Sequence, residues 1–117
     1  MKWIKDITPN NEEPILILTK HRLLDSKLYI YTVVRGFYTD GAHNTEDSDY
    51  CWNDIEDDWE YDEENDAYII PRDYWEERWY GDSDYSVALV NDYVVGWCRL
   101  RDVINEAKIQ LKEELIG

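Results

Sequence analysis

Bases are scarce in this chain. Its 117 residues hold 12 Lys and Arg against 27 Asp and Glu, a formal net charge of −15. Phosphate contacts and anionic membrane surfaces both require clustered cations, so direct nucleic-acid binding and electrostatic membrane attachment are disfavoured. Cysteine is also scarce. Cys51 and Cys98 make no disulfide framework, and the expectation is a reduced, cytoplasmic protein. Neither cysteine forms a C-x-x-C pair, and His21 and His43 form no H-x-x-x-H pair, which argues against zinc and against a Cys-His nucleophile. No Gly-rich phosphate loop and no nucleophile elbow is present. No apolar run is long enough for a transmembrane helix, and none follows Lys2 and Lys5 at signal-peptide length. The expectation is therefore a non-enzyme with no cofactor and no metal.

What the chain does hold is aromatic and acidic. Six Trp and ten Tyr accompany a single Phe. Such rings carry an apolar body and a polar tip, and suit shallow cores and half-wet surfaces. This richness argues against disorder. The acids are concentrated between Asp40 and Asp66, where 13 Asp and Glu occur without one Lys or Arg. The remainder has 14 acids against 12 bases, so nearly all the net charge sits in one segment.

The length fits one domain, residues 1–117, with no repeat and no linker. Ile15 to Leu18, after Pro14, reads as a buried strand. Lys20 to Lys27 reads as a polar connection. Leu28 to Tyr38 is dense in Tyr, Ile, Val and Thr and reads as a strand, with Gly36 marking a bulge or a close approach. Trp59 and Tyr61 alternate with acids, which predicts a hairpin over Asp57 to Ile70 with an acidic tip at Asp62 to Asp66. Tyr74, Trp75, Trp79 and Tyr80 form an aromatic group of ambiguous secondary structure. Asp82 to Asp84 reads as a turn, and Ser86 to Val90 and Tyr93 to Cys98 as strands. Leu100, Val103, Ile104, Ala107, Leu111 and Leu115 recur at helical spacing, which predicts a helix over about 101–115 with its stripe on the sheet. The fold class expected is α+β, a mainly antiparallel sheet with a C-terminal helix packed on one face.

Several segments carry a resemblance. Trp3-Ile4 at the start, the Pro14 to Leu18 strand, Tyr68 to Glu76 in the middle and Val95 to Arg101 near the end are similar to a domain-of-unknown-function family of small phage, prophage and mobile-element proteins. That family tends to begin with a W-I pair, to carry a P-x-G-W-Y-E-like segment and to close on H-W-x-P-L-P. Asp73 stands where the family has Gly, and Arg99 and Arg101 where it has two prolines. Losing those prolines leaves the chain free to enter a helix. The resemblance implies a compact β-rich fold and a mobile-element origin, and transfers no catalytic residue.

Three readings of the acidic stretch stand side by side. It is a solvated face; or a nucleic-acid-like surface for a basic protein partner, such as a host nuclease, DNA-binding or defence protein; or a calcium site using Asp54, Glu56, Asp58 and Asp62, although the EF-hand order is missing. The second leads. Its expected contacts are Glu56, Asp57, Asp58, Trp59, Glu60, Asp62, Glu63 and Glu64, with Trp52, Trp59 and Tyr61 offering rings to cationic side chains. The main alternative is a structural or small-ligand module. The aromatic group Tyr74, Trp75, Trp79 and Tyr80 reads as a sugar or peptide platform or as ordinary core and rim.

Overall fold

A computed structural model describes residues 2–23, 27–52, 55–79 and 85–116. β1 (Ile15–Arg22) and β2 (Tyr29–Thr39) form an antiparallel hairpin with Ile15 opposite Gly36 and Arg22 opposite Tyr29. A short 3₁₀ turn (Thr45–Asp47) follows, then a small hairpin of β3 (Tyr61–Asp62) and β4 (Ala67–Tyr68). The chain continues through β5 (Asp73–Trp79), β6 (Tyr85–Leu89) and β7 (Tyr93–Arg99) into α1 (Leu100–Ile116). Five strands make one antiparallel sheet in the order β6-β5-β2-β1-β7. The sheet with its C-terminal helix is the α+β arrangement expected from the sequence.

Side chains alternate across a strand, so the register sorts the core into two halves on opposite sheet faces. Ile15, Ile17 and Trp97 meet on one face with Val34, Tyr74 and Val94. The N-terminal segment closes that face. Ile4 bridges Trp97, the Trp97 indole donates to the Ile7 carbonyl at 2.9 Å, and Asn11 bridges Tyr38. Phe37 and Trp75 point to the other face, where Trp59 and Ile70 from the acidic region and its return strand cover them. Gly36 is a close approach: a Cβ there would sit 1.9 Å from the Trp75 carbonyl oxygen.

The aromatic group resolves as strand β5 for Tyr74, Trp75 and Trp79. Tyr74 and Trp75 lie on opposite faces and Trp79 is 55 % exposed, so these three make no common platform. Tyr80 and the expected turn at Asp82 to Asp84 lie outside the described residues.

Among the described residues the helix docks chiefly by its beginning. The Leu100 amide donates to the Pro14 carbonyl, and Leu100 and Val103 are half-buried. Beyond that turn the described residues of the expected stripe face solvent, with Ile104 44 % and Leu111 58 % exposed, as does Ile109 at 59 %. The last paired residues of β1 and β7 are Ile15 and Arg99, so the helix starts off the end of the sheet. The radius of gyration, 17.1 Å, exceeds the roughly 13 Å of a rounded domain this size.

Candidate functional site

The acidic segment is anchored at several points. Asn44 is buried, and its side-chain oxygen accepts the Glu46 and Asp47 amides at 3.0 Å, capping the 3₁₀ turn. Asn44 also bridges Ile69, which ties the start of the segment to the residue just after its hairpin. The Ile69 and Ile70 amides donate to the Glu60 and His43 carbonyls at 2.7 and 2.9 Å. The Ser48 hydroxyl donates to Glu12 and accepts the Trp52 indole N–H. Below these contacts Phe37 stacks on Tyr50 with ring centroids 3.8 Å apart.

The tip of the β3–β4 hairpin is shaped by Asp62. One of its oxygens accepts the Glu64 amide at 3.2 Å and the other accepts the Asn65 side chain at 2.7 Å. The Asn65 hydrogen bond outweighs the small desolvation and holds the Asp62 carboxyl below its usual range. Asp66 closes the turn with φ 49°, a left-handed conformation that Asp tolerates, and accepts the Tyr61 hydroxyl. The hairpin is shorter than the span Asp57 to Ile70 expected for it. Residues 57–59 are turn and bend rather than strand.

The expected contact residues fall into three groups. Glu56, Asp57, Asp58, Glu60, Glu63 and Glu64 are exposed, and Asp62 is half-buried. Trp59, expected to present its ring to a partner, instead turns inward at 8 % exposure. It packs edge-on against Trp52 and Trp75 at centroid distances of 5.8 and 6.1 Å. Tyr61 is exposed beside Tyr68. Asp54 lies outside the described residues.

Glu56, Asp58 and Trp59 come together at a cleft of about 700 Å³ between the acidic segment and the β5–β6 edge. Its aromatic wall is completed by Trp52 and Trp75. Asp73 and Arg78 add charge, and Pro71, Val87 and Leu89 add apolar surface. Arg78 is paired with Glu76. Trp52 and Trp75 had a sequence signal, as aromatic residues already singled out. Asp73, Arg78 and β6 had none, because only the pairing of β5 with β6 brings them to the cleft.

No protein-family model, curated protein or solved structure matches this chain.

Charge around the site is unbalanced. Among the described residues, arginine ion pairs run to Glu77, Glu76, Glu13 and Asp102, and none reaches an acid between 46 and 66. His43 meets Asp40 at 2.9 Å. Burial pushes the Asp40 carboxyl up, but hydrogen bonds from the Ala42 amide and His43 together hold it below its usual range. Among the described residues no three His, Cys, Asp or Glu gather as a ligand set. His21 pairs with Asp92, Cys51 is exposed, and Cys98 is buried. No helix among the described residues is long and apolar enough to cross a membrane.

Proposed function

We propose that this is a non-catalytic binding protein that docks a basic protein partner through the acidic segment, residues 40–66, as a surface resembling nucleic acid. One observation carries the reading. Glu56, Asp57, Asp58, Glu60, Glu63 and Glu64 are exposed and meet no cation among the described residues, while the backbone carrying them is pinned by buried Trp59 and Ala67. Anchored carboxylates keep their spacing when a partner approaches. They can therefore complement a basic groove with little ordering cost, and their summed field draws such a groove in. A host nuclease or DNA-binding protein has a groove of that chemistry. The resemblance to phage and mobile-element proteins supports an accessory role against such a host target.

The test is capture of partners from host lysate at low salt, followed by charge reversal of the exposed Glu60, Glu63 and Glu64 to Lys. A basic partner retained by the native chain and lost by the reversed one, with both melting alike, supports the reading. Equal retention by both overturns it. The cleft beside the segment favours a second reading, a small-ligand module whose acids only solvate it. That module would bind its ligand with little dependence on salt.

A further inference from the structure

Resting on the acidic docking proposed above, we infer that the cleft beside the segment seats an arginine side chain of the basic partner. The aromatic wall is the first reason. Trp52, Trp59 and Trp75 contact one another edge to face, at 4.9 to 6.1 Å and 66 to 81°. They form a continuous wall rather than a cage around a small ion. Their hydrogen-bonding capacity is largely spent inward. The Trp52 indole donates to Ser48 Oγ and the Trp75 indole to Thr39 Oγ1, each at 2.8 Å. Those two rings therefore line the cleft with carbon surface, and a ligand that needs donors, such as a phosphate or carboxylate, gains nothing from their N–H groups.

The rim supplies the complementary charge. Glu56 and Asp58 are exposed and have no cation among the described residues. Asp73 commits one oxygen to the Tyr74 amide at 2.8 Å and keeps the other. The cation already at the cleft, Arg78, is held by Glu76. Pro71, Val87 and Leu89, which also line the cleft, add apolar surface for a methylene stem beside the rings. A planar, weakly hydrated guanidinium stacks on indole and forks to carboxylates, and its stem is apolar. A lysine ammonium is a strongly hydrated point charge and matches the aromatic wall less well.

Cys51 provides a built-in reporter. It is exposed and lines the same cleft, whereas Cys98 is buried and its thiol is pushed up in pKa by that burial. The experiment titrates the native chain with two labelled peptides of equal length and charge, alternating Gly-Arg and alternating Gly-Lys. Anisotropy reads binding, and iodoacetamide reads the alkylation rate of Cys51. The expected result is affinity about fivefold tighter for the arginine peptide, with Cys51 alkylation slowed in proportion to occupancy. Glu56→Gln with Asp58→Asn, both on exposed side chains, should abolish the protection. Equal binding of the two peptides, or arginine binding that leaves Cys51 unprotected, overturns the cleft assignment and leaves the acidic docking intact. Binding of neither peptide overturns both.

Discussion

Gly36 shows how little room the centre of the sheet leaves. β2 and β5 approach there so closely that any Cβ would meet the Trp75 carbonyl oxygen, and backbone atoms cannot swing aside as a side chain can. Gly36→Ala should lower unfolding free energy by at least about 2 kcal/mol in urea titration, at the upper end of ordinary overpacking. Tyr50 makes a second prediction at this scale. Its ring stacks on Phe37, and burial, with Glu77 and Glu12 adding negative charge, pushes its phenol up to about 12. The folded state therefore keeps a proton that the unfolded chain gives up near the ordinary value of 10.0. Stability from this group is whole below pH 10, falls as pH rises, and is gone above about 12. Tyr50→Phe should lose less stability than the native chain over that window, measured as melting temperature against pH. Parallel curves would contradict the assignment.

At the scale of elements, sequence and structure agree where a segment's own chemistry decides. β1 and β2 were legible because Ile15 to Leu18 and Leu28 to Tyr38 are dense in side chains that fit a pleated surface. But β1 runs on through residues 20–22, which read as a polar connection and are held as strand by pairing with residues 29–31. β5 was not, since Tyr74-Trp75-Glu76-Glu77-Arg78-Trp79 lacks a clean alternation. Its place is set by β2 on one side and β6 on the other. The same holds for the candidate site. The acids of 40–66 were legible by composition, but the inward turn of Trp59 depends on Trp75 and Phe37, which no local pattern announces. The helix and its packing against the sheet were legible from its apolar stripe. What was not legible is that its first turn makes the contact while Ile109 and Leu111 stay exposed, because the element starts beyond the last strand pairing. Removing residues 108–117 should therefore reduce the helical circular-dichroism signal yet shift the melting temperature by no more than about 2 °C, the size of a surface change. A loss of 10 °C or more would mean that the distal helix is bound to something the fold needs.

At the scale of the whole molecule, negative charge is concentrated in one segment. Residues 40–66 carry 13 acids without a base, whereas the rest of the chain is nearly balanced at 14 acids to 12 bases. That concentration gives the segment a field that draws a basic partner toward it. It also makes ionic strength the natural control, because exposed charges lose their reach as the Debye length shortens. The most direct measurement is the dissociation constant for the captured basic partner across a salt series, with the native chain beside one carrying Glu60→Lys, Glu63→Lys and Glu64→Lys. The account predicts that the native affinity weakens at least about tenfold from low to high salt, and that the reversed chain starts weak and changes little. An affinity that is flat in salt, or equal for the two chains, would contradict the acidic segment as the docking surface.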